Sequence, residues 1–477
     1  MTQSTKLHTL WLPVIAIARA GLRRAASGRA TPSLAEQSGP GESLMPFMFE
    51  MKVGDADILA FEGALAGRLA NPGSVLQAVG GRRYLLAGNV AKALYPGAGT
   101  AQIQASLEAE GARDVRLVES ARGIERLAGR TEPTFVTRFM AAAPAHAAGA
   151  HDWHLEEVRL PDAWDFLGGV AGPIWSSIRV GHIDTGYTEQ PALGPWSGGT
   201  SPLIRTDLDA NFFNAANEDP LSALEPDHDD GFPFHGTRTL CTLAGRDPNA
   251  PERPFFGSAP GVEVVPMRDT NSIVVDDQQP GVCAAIRHAV NTGCRVITIS
   301  QGITLLPMRC VQEALDEAYA HGVIVVAAAG QHSPFFVFAP GRLKHAIAVG
   351  GTTPGLKVWI PSCAGPAVAI AAPAEPIRVA STQFKGKYEY VYGQSNGTSY
   401  ATPLVAGTAA LWLARWGAEL DTRYPEQWQR VAAFRNILRA SAQVPAGWDT
   451  QRNGAGVLDA LSAVQLDLPD ASALVPG

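Results

Sequence analysis

Past residue 151 the chain alternates two kinds of apolar segment. Short runs rich in β-branched residues read as strands: Ser177–Ile183, Val262–Met267, Arg295–Ser300, Val323–Ala329 and Ala346–Val349. Between them, His235–Leu243, Gly281–Thr292 and Met308–His321 read as helices. Continuously apolar strands separated by helices of about three turns predict a mostly parallel sheet covered on both faces, a doubly wound α/β fold. In such sheets the working residues collect where the C-terminal ends of the strands meet their loops.

A different pattern precedes it. From Met45 to about Arg130, Phe47–Val53 and Asp114–Glu119 read as strands and Thr100–Glu110 as a helix, a small α+β domain. The stretches Ala25–Gly41 and Ala141–Ala150 are rich in Ala, Gly, Pro or Ser and read as linkers. The predicted organisation is a basic extension over 1–44, the α+β domain over 45–135 and an exposed linker over 136–150. The large domain follows over 151–465, with a C-terminal tail over 466–477.

Bulk numbers narrow the class. A length of 477 residues, 46% hydrophobic and 17% charged, suits a globular protein with a large core. The net charge of −7 gives no footprint for nucleic acid. Charge is uneven, since Lys6, Arg19, Arg23, Arg24 and Arg29 outweigh Glu36 and Glu42 in the extension. No apolar run is long enough to span a bilayer. Leu10–Ala18 is open to two readings, a short signal h-region or part of a basic amphipathic segment, beside a plain loosely ordered extension. Five cysteines, Cys241, Cys283, Cys294, Cys310 and Cys363, include no CxxC pair, so buried thiols are expected rather than a disulfide framework or a zinc site. Unpaired thiols tilt the compartment towards the cytoplasm over secretion without deciding it.

Three short strings carry candidate chemistry. Ile183-Asp-Thr-Gly186 closes the first strand of the large domain, where Asp184 either caps its own turn or faces a site. Phe234-His-Gly-Thr237 opens a helix, and His235 there is either structural or set to accept a proton. Gly397-Thr-Ser-Tyr-Ala-Thr-Pro403 precedes the apolar run Leu404–Trp416. Its glycine allows a tight turn and its proline suits a helix's first turn, leaving the Ser399 N–H unpaired at the helix start. A plain Ser/Thr cap does not account for all seven residues. A decoy overlaps this string: Gly393-Gln-Ser-Asn-Gly397 spells the GxSxG of α/β-hydrolases, with Ser395 as nucleophile. That fold needs a histidine after the serine, and the last of the eleven histidines is His345.

Asp184, His235 and Ser399 follow the chain order of the subtilisin arrangement. The three strings resemble the signature blocks of the subtilase family, the subtilisin-like serine proteases. Further blocks agree: Asp152-Trp-His-Leu155 with Ala163-Trp-Asp165, Ala259-Pro-Gly261, Val296-Ile-Thr-Ile-Ser-Gln-Gly302 and Asn453-Gly-Ala-Gly-Val-Leu-Asp-Ala460. The resemblance spans residues 151–465. It implies a serine protease in which His235 takes the Ser399 proton and Asp184 orients the imidazole. It implies polypeptide substrates lying along Ser300, Gln301 and Gly302 on one side and Ala328, Ala329 and Gly330 on the other. It also implies that residues 45–135 form a propeptide-like intramolecular inhibitor, cleaved off near Ala141–Ala150. No cofactor is required; a structural calcium is compatible, and no residue pattern marks one. Asp227-His-Asp-Asp-Gly231 reads as a solvated acidic loop, with cation binding or a preference for basic substrate residues as the alternatives.

One position departs from the family. The second oxyanion donor there is an asparagine closing Ala-Ala-Gly-Asn, and Ala328-Ala-Gly-Gln331 stands here instead. Three readings follow. Gln331 reaches the oxyanion with an adjusted backbone; another donor or water replaces it in a slow protease; or the chain is a peptide-binding scaffold that does not cut.

Overall fold

The computed structural model describes residues 47–52, 61, 64–65, 77–80, 83–87, 94–119, 152–213, 219, 222–225, 232–246, 257–276, 278–304, 307–331 and 336–476. The expectations for the N-terminal extension, the linker 136–150 and the acidic loop Asp227–Gly231 fall outside them.

The N-terminal pattern forms one antiparallel sheet. Strands β1 (Phe47–Lys52), β2 (Gln77–Gly80), β3 (Arg83–Ala87) and β4 (Arg113–Glu119) lie in the order β2-β3-β1-β4, with helix α1 (Thr100–Ala109) between β3 and β4 in the chain. Ile103 and Leu107, one helical turn apart, are fully buried, and so is Met51 of β1.

The large domain is built on eight strands. They are β5 (Arg179–Asp184), β6 (Ala210–Asn211), β7 (Glu263–Arg268), β8 (Val296–Ile299), β9 (Ile324–Ala328), β10 (Ala346–Thr353), β11 (Lys357–Val358) and β12 (Val368–Pro373). Their order is β11-β10-β9-β8-β5-β7-β6, with β12 on β10, and every pairing but β10 with β11 is parallel. The doubly wound expectation holds. Strand β5 lies between β8 and β7, so the chain reverses its winding at β5 and opens a crevice beyond Asp184.

Helices α2 (His235–Ala244), α3 (Gln279–Asn291) and α4 (Arg309–Ala320) are the three read from the sequence, with ends moved by one or two residues. A hairpin of β13 (Ile377–Phe384) and β14 (Tyr388–Ser395) leads into α5 (Thr398–Arg423), whose first half is buried against the sheet. The serine-bearing string lies inside α5 rather than before it. Pro403 is the sixth helical residue, and its missing N–H leaves the Ser399 carbonyl without its helical partner. The Ser300 hydroxyl donates to that carbonyl at 2.8 Å instead. Helix α6 (Trp428–Ser441) completes the core, and the C-terminal tail packs onto it through Leu468 and Leu474. No helix among the described residues is long and apolar enough to cross a membrane.

The cysteine expectation needs one correction. Cys283 of α3 and Cys310 at the start of α4 form a disulfide, while Cys241, Cys294 and Cys363 are buried free thiols. The two partners are 27 residues apart, a spacing that no sequence motif marks, and packing of α3 on α4 brings them together. The disulfide removes the argument that unpaired thiols made for the cytoplasm.

Candidate active site

Asp184 ends β5 at the crevice and is fully buried. Its Oδ1 accepts from the Thr185 N–H and from His235 Nδ1, each at 2.7 Å, and its Oδ2 accepts from the Thr239 hydroxyl at 3.0 Å. Burial would raise this carboxyl, but the adjacent His235 and the hydrogen bonds outweigh it and hold Asp184 below the ordinary carboxylate range. The two strings meet through their glycines. The Gly236 N–H donates to the Thr185 hydroxyl at 2.9 Å, and a Cβ on Gly236 would lie 2.1 Å from the Gly186 carbonyl oxygen. Any larger residue there would push His235 off Asp184.

Ser399 sits at the second position of α5, and its neighbour Tyr400 places its ring 6.3 Å from the His235 ring. The Ser399 hydroxyl donates to the Ser300 carbonyl at 3.1 Å. The structure therefore joins Asp184 to His235, sets Tyr400, the residue after Ser399, near the imidazole, and turns the serine hydroxyl to the Ser300 carbonyl at the end of β8. Ser300 and Ser399 thus clasp each other by two hydrogen bonds. Ser395, the decoy, is the buried last residue of β14, paired with Ile377.

Gln331 is aimed at the start of α5. Its Oε1 accepts from the Thr398 N–H at 3.3 Å, which leaves the NH2 as the part of the amide free to donate. A methyl built on Gly397 would lie 3.4 Å from Gln331 Oε1, 3.7 Å from Nε2 and 3.7 Å from the Ser399 nitrogen. The amide and the Ser399 N–H thus flank one small space, kept open by Gly397 at φ +145°.

The segments expected to line the substrate differ from the simple picture of two open edges. The Gly302 N–H donates to the Ile273 carbonyl at 2.9 Å, and its carbonyl accepts from the Val275 N–H at 3.0 Å. The Gly302 edge is thus already paired with the chain's own segment. On the other side the Ala329 N–H donates to Val349 and its carbonyl accepts from Phe338; the Gly330 carbonyl accepts from Cys363 and its N–H meets the Thr398 hydroxyl. Ala328 belongs to β9, so Ala328–Gly330 presents a wall rather than a row of open groups. Gln301 turns its side chain to Asp269, donating at 2.7 Å. Burial, with the Asp184 charge adding and the Gln301 bond opposing, pushes the Asp269 carboxyl up to about 8.

Two residues behind Asp184 carry no signal in the sequence. Thr239 lies one turn after His235 on α2, and His182 lies two residues before Asp184 on the same face of β5. His182 Nε2 meets the Thr239 hydroxyl at 2.8 Å, the same hydroxyl that holds Asp184. Burial pushes His182 down to about 4, with Asp184 opposing and His235 adding, so the ring is neutral at pH 7. A neutral ring donating from Nε2 leaves the Thr239 proton for the carboxylate. The helical and strand periods put each on the right face of its own element; nothing in the sequence says that α2 crosses the end of β5.

Residues 176–457 match the subtilase family. Subtilisin BL of Lederbergia lenta is 29% identical over 263 residues, 54% of this chain and 82% of that protein. Mycosin-1 of Mycobacterium tuberculosis is 27% identical over 402 residues, 73% of this chain and 81% of that protein. Among solved structures, a protease of Pseudoalteromonas arctica superposes with a TM-score of 0.52 at 25% identity, covering 66% of this chain and 96% of that one. A family match over more than half of the sequence, on the fold those relatives share, makes this chain a member of the subtilase family of serine proteases.

Proposed function

We propose that Asp184, His235 and Ser399 form the catalytic triad of this protease, with the Ser399 N–H and the Gln331 amide as its oxyanion donors. The observation that carries the reading is the 2.7 Å hydrogen bond between Asp184 and His235 Nδ1 at the sheet's switch point, beside the serine-bearing end of α5. With Nδ1 held by the carboxylate, Nε2 is the nitrogen left to take a proton. A turn about χ1 moves the Ser399 hydroxyl from the Ser300 carbonyl to Nε2. Ser399 Oγ then attacks the peptide carbonyl as its proton passes to His235, which returns it to the leaving amine. Water repeats the cycle on the acyl-enzyme. The oxyanion forms in the space kept clear by Gly397. No cofactor enters these steps.

The substrate is a polypeptide in extended form. It lies along Ser300–Gly302, displacing Ile273–Val275 from the Gly302 edge, and against the wall Ala328–Gly330. Residues 45–135 act as a propeptide that blocks this cleft until cut near Ala141–Ala150. The antiparallel sheet and helix α1 among the described residues of that region support this. Reaction with a fluorophosphonate probe tests the triad. Wild type reacts at Ser399 and Ser399→Ala does not. A folded wild type that fails to react sinks the reading and leaves a scaffold that holds peptides without cutting them.

A further inference from the structure

The two substrate walls are separated by an aromatic ring. A Cβ on Gly302 would lie 2.8 Å from Phe338 Cδ2 and 3.1 Å from its Cβ. A Cβ on Gly330 would lie 2.3 Å from the same Cδ2 and 2.8 Å from Cε2. One ring therefore abuts the α-carbons of both walls at once, closer than side chains tolerate, which is why both positions are glycine. Phe338 is 8% exposed.

The ring is held from both sides. The Phe338 N–H donates to Ala329 at 2.9 Å, tying it to one wall. The next residue, Ala339, exchanges both backbone bonds with Ile303, at 2.6 and 3.1 Å, tying it to the other. Phe336 packs edge-on at 6.0 Å and adds apolar support. Moving the segment that carries the ring away from this position means breaking a ladder on one wall or the other.

The space it fills adjoins the nucleophile. The Ser300–Ser399 clasp fixes one wall to the serine, and the 3.2 Å bond from the Gly330 N–H to the Thr398 hydroxyl fixes the other to the preceding residue. With the attacked carbonyl at Ser399 Oγ, the side chain of the same residue enters between these walls. We propose that Phe338 fills the pocket for the side chain on the acyl side of the scissile bond, so that the enzyme cuts after glycine, alanine or serine and rejects large residues. The proposal deepens the triad reading and rests on Ser399 as nucleophile.

Matched peptide substrates that differ only in the acyl-side residue, alanine against phenylalanine, test it on the full chain. Wild type is expected to prefer alanine in kcat/KM by at least about 100-fold, the order that a few misplaced methylenes produce. In Phe338→Gly the ratio moves towards phenylalanine by at least about tenfold. Equal cleavage of both peptides by wild type overturns the proposal, and so does an active Phe338→Gly with an unmoved ratio. If that variant does not fold, Phe338→Val, which removes the ring and keeps an apolar side chain, should move the ratio the same way by at least about fivefold, and an unmoved ratio overturns the proposal. Fluorophosphonate labelling of wild type separates the two failures. A labelled Ser399 with no alanine preference sinks the pocket alone, and an unlabelled one sinks the triad and the pocket with it.

Discussion

Gln331→Glu changes one group at the site. The NH2 becomes an oxygen, while the length, the volume and the carbonyl that accepts from Thr398 stay. The 3.3 Å bond from the Thr398 N–H is kept, and a negative charge near a helix N-terminus is favourable by about 0.3–1 kcal/mol. Folding stability should hold or rise slightly. The oxyanion fares differently, because it loses a donor and meets a like charge. One lost donor costs about 10²–10³ in kcat, or about 2.7–4 kcal/mol. Two like charges about 4 Å apart add up to about 4 kcal/mol at an effective dielectric of 20. The variant should therefore show kcat at least about 100-fold lower, with KM near wild type and a denaturation midpoint that holds or rises slightly. Peptide hydrolysis and urea titration measure the pair. A kcat within about fivefold of wild type would falsify the assignment of the amide to the oxyanion. Gln331→Asn is the companion, since it withdraws the amide by about 1.5 Å from both Thr398 and the space beside Gly397. It should lower kcat; an increase would mean that glutamine overshoots its slot.

Gly397→Ala puts a methyl between the two donors at contacts of 3.4–3.7 Å, which the fold tolerates, so its stability loss is backbone strain of about 1–3 kcal/mol. The folded protein should nevertheless turn over far more slowly, and activity that follows the melting curve alone would refute the geometry. Replacing Cys283 and Cys310 together by serine opens a cross-link between residues 27 apart, worth roughly 3–4 kcal/mol, and should shift the denaturation midpoint as reductant does in wild type. A wild-type midpoint indifferent to reductant argues against the bond. Asp269, with an ordinary value of 3.8 raised to about 8 by burial, keeps a proton in the native state that the unfolded chain has lost between those values. Its contribution is complete below about pH 4 and is lost as pH rises through about 8. Asp269→Asn should remove that decline, and urea midpoints at about pH 5 and 8 with the same slope in both proteins count against it.

The parts legible in the sequence are those where chemistry forces the backbone. Gly186 and Gly236 are needed because α2 lands on the end of β5, and they stand beside Asp184 and His235 and mark them. Gly397 at φ +145° and Pro403 likewise bracket Ser399. The strands show as continuous apolar runs, since both faces of the sheet are covered. The true start of α5 escapes the pattern because Pro403 reads as a first-turn residue, whereas the Ser300 hydroxyl lets it sit deeper. Thr239, His182 and the Cys283–Cys310 pair depend on which element crosses which, and local pattern does not carry that.

Selectivity is encoded less visibly than reactivity, and Phe338 shows why. The walls are readable as Ser300–Gly302 and Ala328–Gly330, glycines included, yet a glycine says only that something comes close. What comes close to Gly302 and Gly330 is one ring, delivered by a segment that pairs with Ile303 on one wall and Ala329 on the other. The reaction needs donors and a base at fixed positions, so the residues that hold the backbone there are constrained together and form motifs. The pocket needs only a volume, which many side chains at position 338 can fill to different depths. A change at that one residue can therefore alter which bond is cut while every motif of the site stays intact.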